Sequence, residues 1–312
     1  MDEIVRHSRE LIEKGSKSFA GAARLFAPGV RDDAYMLYAW CRHCDDEIDG
    51  QHLGFAAPEP SLTSIDERLE ELRRQTSDAI DGKADHPVFI ALSRVVAKHR
   101  MAPQFPLDLL EGFAMDAREH AYRSIDDTIL YSYHVAGVVG VMMAIIMGAK
   151  DTATLNRACD LGIAFQLTNI SRDVIDDAKE GRVYLPADWL EAAGVAPGAI
   201  ADPANREAVF EVTTRLLDTA EAYYASARHG LAALPFRSAW AIAAARRVYR
   251  DIGTLVRASG PDPWSRRVTV SRARKLGGVA GGLADAVLAR SFGRVVDPPA
   301  RQGLWTKPGL EV

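Results

Sequence analysis

Two short acidic clusters, Asp45-Asp46-Glu47-Ile48-Asp49 and Asp173-Val174-Ile175-Asp176-Asp177, follow one rule. Each sets two aspartates four residues apart, Asp45 with Asp49 and Asp173 with Asp177. At helical pitch that spacing stacks both carboxylates on one face, one turn apart. A glycine follows each cluster, Gly50 and Gly181, so both are expected in the last turn of a helix. The macrodipole already places partial negative charge there, and like charges at this spacing repel by roughly 0.2–0.5 kcal/mol per pair. Either cluster alone reads more simply as a solvated acidic face. Two matched clusters, each with an arginine close by (Arg42 and Arg172), favour a bound cation and phosphate instead. Oxygen-only ligands with no His or Cys set select magnesium or manganese, and magnesium commonly bridges carboxylates to phosphates.

Flanking residues extend both motifs at helical spacing. Tyr38, Arg42, Asp45 and Asp49 share one face, and Gln166, Asn169, Asp173 and Asp177 share another, with Leu161 and Phe165 on a neighbouring apolar stripe. Amides leading into a carboxylate pair suit a lined polar cavity better than a core. The apolar stretch 127–148 carries small residues at Ala136, Gly137, Gly140, Ala144 and Gly148. Glycine inside a helix costs roughly 1 kcal/mol against alanine. These positions therefore mark either close helix packing or the wall of an apolar tunnel.

The elements that must position these groups are helical almost throughout. Helices are expected over about 2–14, 31–49, 64–80, 86–100, 106–121, 127–148, 152–178, 204–229, 237–258 and 265–290, separated by proline and glycine breakers. The acidic clusters lie on separate helices more than a hundred residues apart, so a shared site requires one all-α domain, residues 1–290. Residues 291–312, with Pro298-Pro299 and Pro308, read as a loose tail.

At 312 residues the chain can bury a large core, and 48% hydrophobic with 26% charged residues is ordinary for a soluble globular protein. A formal net charge of −4 argues against nucleic acid as a partner. The late basic run Arg266, Arg267, Arg272, Arg274 and Lys275 suits a local anion or a solvated face. Cys41, Cys44 and Cys159 cannot build a disulfide framework and fit a reducing cytoplasm. Cys41 and Cys44 match C-x-x-C, but lack a second pair for zinc and a βαβ context for redox work, so they read as core thiols. Residues 1–6 lack a signal-peptide apolar region. The most apolar stretch, 135–149, is shorter than a span of about 20 residues and reads as a buried helix.

At these residues the chain resembles the squalene/phytoene synthase family of head-to-head prenyl transferases. Tyr131-Ser132-Tyr133-His134-Val135-Ala136-Gly137-Val138-Val139-Gly140 is similar to one family motif, although Ser132 stands where many relatives carry cysteine. Leu161-Gly162 through Gln166, Asn169, Arg172-Asp173 and Asp177 is similar to the other. Asp45 to Asp49 resembles the first aspartate-rich motif, and Gly15-Ser16-Lys17-Ser18-Phe19 the N-terminal serine segment. The stretch 36–46 is most similar to bacterial phytoene synthases of carotenoid pathways. The resemblance runs from about residue 8 to 290, and the tail has no counterpart.

The resemblance implies an all-α isoprenoid synthase fold, a helical bundle around a central cavity. It also implies condensation of two geranylgeranyl diphosphates to 15-cis-phytoene through prephytoene diphosphate, with release of two diphosphates. On that basis Asp45, Asp49, Asp173 and Asp177 would hold two to three magnesium or manganese ions. Arg42, Arg172 and Arg267 would donate to phosphate oxygens. Ser16, Ser18, Tyr38, Gln166, Asn169 and Tyr249 would complete the polar rim, while Phe19 and Phe165 would line a dry cavity in which cations survive. Tyr38 and Arg172 are counted with the four aspartates as catalytic candidates. The final cation would lose a proton, so no NADPH is expected; ATP stimulation is compatible with the resemblance but has no residue signature. An apolar product and the absence of a membrane span imply a cytoplasmic protein in loose peripheral membrane contact.

Three other readings share parts of this pattern. A squalene or dehydrosqualene synthase would take two farnesyl diphosphates, and the squalene-forming kind would need a reductant. The only glycine-rich candidate for a dinucleotide, Gly277-Gly278-Val279-Ala280-Gly281-Gly282, does not follow a strand. A head-to-tail prenyl transferase or terpene cyclase shares the metal logic but not the paired motifs. A non-catalytic assembly factor on the same fold could dispense with the aspartates, all four of which are present here.

Overall fold

The computed structural model describes residues 2–15, 17–49, 51–52, 55–56, 63–118, 120–261, 264–292 and 299–309. Thirteen α-helices are found among them. α1 (Glu3–Gly15), α2 (Lys17–Ala23) and α3 (Pro28–Asp49) lead into a two-residue antiparallel pair, β1 (Gln51–His52) with β2 (Phe55–Ala56). α4 (Ile65–Ile80), α5 (Pro87–His99) and α6 (Gln104–Ala117) follow. α7 (Ile125–Ser132) passes through a π-helical turn, Tyr133–Gly137, into α8 (Val138–Ile146). α9 (Thr152–Lys179), α10 (Ala187–Ala192), α11 (Arg206–Ala227), α12 (Phe236–Ala258) and α13 (Arg272–Phe292) complete the bundle. The class is all-α, as the periodicity implied.

Local chemistry sets the boundaries. Ser64 caps α4 through a capping box with Glu67, Pro87 opens α5, and the Asp151 carboxylate caps α9 by accepting from the Thr154 amide at 2.8 Å. The left-handed Gly181 follows the end of α9, and Gly148 ends α8 in the same conformation. Two short helices are added to those expected, and one expected start moves. α2 and α10 have only seven and six residues, too few for a periodic signal. α13 begins at Arg272 rather than 265, because Trp264 and Arg267 are drawn onto α9 in a non-helical segment.

α9 is the spine. It has 28 residues, about 42 Å at 1.5 Å per residue, and packs against α7, α8, α11 and α12. The continuous helix Ile125–Ile146 is long and apolar enough to cross a membrane, but 67% of its most apolar window is buried inside the bundle, consistent with a core helix. Glycines make its crossing with α9 close. A Cβ on Gly140 would collide with the Ala158 carbonyl, and one on Gly162 with the Ala136 carbonyl. A Cβ on Gly137 would meet Cys159 Sγ at 3.1 Å, and Ala144 is fully buried. Of the two meanings considered for these positions, Gly137 and Gly140 take the packing one. They are not tunnel walls, because α9 already occupies the space in front of them.

Residues 299–309 are not loose. Arg301 donates to both oxygens of the buried Asp160 at 2.6 and 2.8 Å and to the Trp305 carbonyl at 2.9 Å. The Trp305 amide donates to the Tyr223 hydroxyl, its ring lies 4.8 Å from that of Tyr133, and Lys307 pairs with Asp108. A buried carboxylate on α9 needs a cation, and the tail supplies it.

Candidate active site

Both acidic clusters end their helices, as their spacing required: Asp45 lies in the last turns of α3 and Asp177 in the last turn of α9. Arg42 bridges one turn of α3, reaching Asp45 at 2.9 Å and Asp46 at 2.8 Å. Asp46 was not among the expected site residues, though the four-residue step from Arg42 could have revealed it. Arg68 of α4 donates to the Glu47 carbonyl at 2.6 Å and so supports the C-terminal end of α3. Tyr38 stands one turn before Arg42. A Cβ on Gly15 would come within 2.8 Å of its hydroxyl, so the bare backbone at the end of α1 lies against this face. Ser16 lies outside the described residues, and the side chains of Ser18, Phe19 and Asp49 are likewise outside them.

On α9, Arg172 grips Asp173 bidentately, Nε to Oδ1 at 2.9 Å and Nη2 to Oδ2 at 2.5 Å. Arg267 approaches the same carboxylate at 3.3 Å. Burial works against the Arg172 charge, but the hydrogen bond and charge of Asp173 outweigh it and raise its pKa. Asn169 donates to Gln166 at 3.4 Å, one turn before Asp173. Phe165 and Tyr249 stack with ring centroids 4.2 Å apart, which carries α12 onto the same stretch of α9. Burial raises the Tyr249 pKa, and the nearby Arg172 charge pulls it back. The segment before α13 is fixed by Trp264, whose indole N–H donates to the Ser171 carbonyl at 3.2 Å. Thus Gln166, Asn169, Arg172, Asp173, Tyr249 and Arg267 form one group, and Tyr38, Arg42 and Asp45 another. α3 and α9 both pack on α8.

The donor set fits a divalent cation with phosphate. Burial and the charge of Asp173 push the Asp177 carboxyl up to about 7, so α9 carries a carboxylate pair whose charges resist coexistence. A bound cation relieves that conflict. The Arg42 Nε–H is buried with no partner among the described residues, and a phosphate oxygen would satisfy it. No three carboxylate, imidazole or thiol groups converge among the described residues. Magnesium at phosphate sites is commonly bound through one or two carboxylates, with phosphate and water completing the shell. The cysteines stay outside this chemistry: all three are free, Cys44 and Cys159 are buried, and burial holds the Cys41 thiol up at about 12.

Two features escaped the sequence reading. The π-helical turn Tyr133–Gly137 falls inside the motif 131–140 and re-aims the helix there; such bulges are frequent at functional sites. Beside it, Tyr131 and Tyr184 stack at 4.8 Å and both donate to Asp116, at 2.9 and 3.0 Å.

An all-α bundle with arginine-held carboxylates near the ends of two helices suits a site for metal-bound phosphate groups, and comparison with known proteins places it in a family. The sequence profile described as squalene/phytoene synthase matches residues 12–274. The 15-cis-phytoene synthase of Paracoccus sp. (strain N81106 / MBIC 01143) is 52% identical over 99% of each chain, and that of Pantoea ananas 49% over 98% of each. Among solved structures, a dehydrosqualene synthase with bound ligand superposes with a TM-score of 0.78 at 28% identity, over 90% of this chain and 96% of that one. A squalene synthase from Alicyclobacillus acidocaldarius gives 0.75 at 23%, over 84% and 95%, which speaks for the isoprenoid synthase fold alone. The chain belongs to the squalene/phytoene synthase family, and is therefore a prenyltransferase of isoprenoid biosynthesis. The family processes prenyl diphosphates and generally depends on divalent metal.

Proposed function

We propose that this chain joins two geranylgeranyl diphosphates head to head, releasing two diphosphates and forming 15-cis-phytoene. The observation that carries the reading is its near-half identity, over essentially its whole length, to bacterial enzymes of that name. The site chemistry supports it. Asp45, Asp49, Asp173 and Asp177 would hold two to three magnesium or manganese ions, which when bound neutralise charge developing on the departing diphosphate. The arginines act through exchange. Arg42 and Arg172 pair with Asp45 and Asp173. Were metal to take those carboxylates, both guanidiniums would be available to donate to diphosphate oxygens, together with Arg267. Tyr38, Gln166 and Asn169 orient the diphosphates together with Ser16 and Ser18. The stacked Phe165 and Tyr249, with Phe19, keep water away from the allylic cation and offer it aromatic faces.

Proton loss ends the sequence, so no nicotinamide is consumed. The protein works in the cytoplasm and touches the membrane peripherally, where its C40 hydrocarbon has to go. The test is incubation of the purified protein with geranylgeranyl diphosphate and magnesium, without NADPH. Two diphosphates released per C40 triene support the reading. Strict dependence of hydrocarbon formation on NADPH moves the chain to squalene formation.

A further inference from the structure

Five large hydrophobic side chains are strongly exposed among the described residues, and four of them lie on α13: Leu276 at 70%, Leu283 at 38%, Val287 at 48% and Leu288 at 55%. Leu276, Leu283 and Val287 are spaced i, i+7 and i+11, which at 100° per residue places them within about 20° of one line along the helix. The exposed Ala280 lies beside this line, about 40° round the helix from Leu276. Exposed Arg272 and Arg290 border one side of the stripe, with Lys275 about 60° further round on the same side. The one acid in α13, Asp285, faces inward, where Arg247 of α12 holds it through two hydrogen bonds at 2.6 and 2.7 Å. The outer face of this 21-residue helix therefore carries apolar and basic groups and no carboxylate, on a protein whose net charge is −4.

We propose that this face of α13 docks the enzyme onto an anionic lipid bilayer, with Leu276, Leu283 and Val287 entering the interface and Arg272, Lys275 and Arg290 among the headgroups. The inference rests on the reading that the product is an apolar hydrocarbon. An apolar stripe edged by cations matches the two-layered chemistry of an acidic membrane surface. A second copy of this chain fits less well, since a two-fold contact would set like charges against each other. Position adds to the argument. The segment leading into α13 is pinned to the acid end of α9 through Trp264 on Ser171 and Arg267 on Asp173. A helix docked this way would hold the substrate-binding end of the bundle beside the lipid that supplies prenyl chains and receives the product.

Co-sedimentation of the full chain with vesicles decides it, comparing phosphatidylglycerol/phosphatidylcholine mixtures with pure phosphatidylcholine. The wild type is expected to pellet with the anionic vesicles and to be released by salt. The triple variant Leu276→Gln, Leu283→Gln, Val287→Gln should partition about tenfold less or weaker still. Its melting temperature and its rate on detergent-dispersed geranylgeranyl diphosphate should not change. The triple variant Arg272→Gln, Lys275→Gln, Arg290→Gln should lose the preference for anionic lipid. Equal binding of wild type and the apolar-stripe variant overturns the docking face while leaving membrane association standing. A wild type that binds no vesicle overturns both, and the detergent assay still reports on the synthase reading independently. A dimer that becomes monomeric in the apolar-stripe variant, with vesicle binding unchanged, assigns the face to a second copy and refutes the proposal.

Discussion

Replacing Arg301 with alanine tests whether the C-terminal segment is a structural part of the bundle. Asp160 lies in the first third of α9 with no solvent exposure, and Arg301 is its bidentate partner at 2.6 and 2.8 Å. The Ser226 hydroxyl also donates to Asp160, and Arg157 links Ser226 to the Pro299 carbonyl. Removing one member of a buried pair strands the other charge, at a cost of about 3–5 kcal/mol. Arg157 stays nearby, so the loss should fall near 3 kcal/mol, a large share of a typical stability of about 5–15 kcal/mol. Urea unfolding of wild type and Arg301→Ala measures it as a lower midpoint at unchanged slope. A double variant, Asp160→Leu with Arg301→Met, removes the stranded carboxylate and should recover part of the loss, with Arg157 and Ser226 still bonded to each other. A loss below about 1 kcal/mol in Arg301→Ala, or a double variant no better than the single, would refute the clamp.

Neutralising the acidic pairs should separate stability from turnover. Asp45→Asn and Asp173→Asn are expected to fold, to lose hydrocarbon formation and to lose magnesium-dependent diphosphate binding; full activity in excess chelator would remove the metal from the scheme. The Asp177 carboxyl titrates at about 7 in the folded protein against 3.8 when free. The folded state thus keeps a proton that the unfolded state releases, so without metal this group's contribution to stability falls as pH rises from about 4 to 7 and is level above that. Magnesium displaces that proton, so its affinity should rise with pH up to about 7. Asp177→Asn should abolish both trends, and calorimetric titrations at several pH values check them. Gly162→Ala places a methyl against the Ala136 carbonyl and should cost about 1–3 kcal/mol in urea unfolding, with the rate on substrate falling only as folded protein is lost.

Charge spacing made half of the site legible. Aspartates four apart, glycines just beyond and arginines one turn or one residue away locate both clusters at helix ends without any tertiary information. The apolar period gave the long helices for the same reason: one buried stripe per helix is written in the order of residues. What escaped depends on contacts between distant segments. Asp160 sits on a helix buried all round, so nothing local marks it as a carboxylate awaiting a cation. Arg301 comes from a proline- and glycine-rich stretch with no period at all. The π-helical turn adds one residue to one turn, which a 3.6-residue pattern absorbs without trace. Gly137 and Gly140 were ambiguous because close packing and a tunnel wall both demand small residues, and only the position of α9 separates the two.

A competition assay tests the central claim most directly. Geranylgeranyl and farnesyl diphosphate are offered at equal concentration with magnesium and without NADPH, and the hydrocarbons are resolved by mass. Deeper apolar burial of the longer chain, worth about 0.8 kcal/mol per methylene-sized group, should make the C40 triene dominant and leave C35 and C30 products minor. A product pool dominated by C30 hydrocarbon would contradict the assignment to phytoene formation.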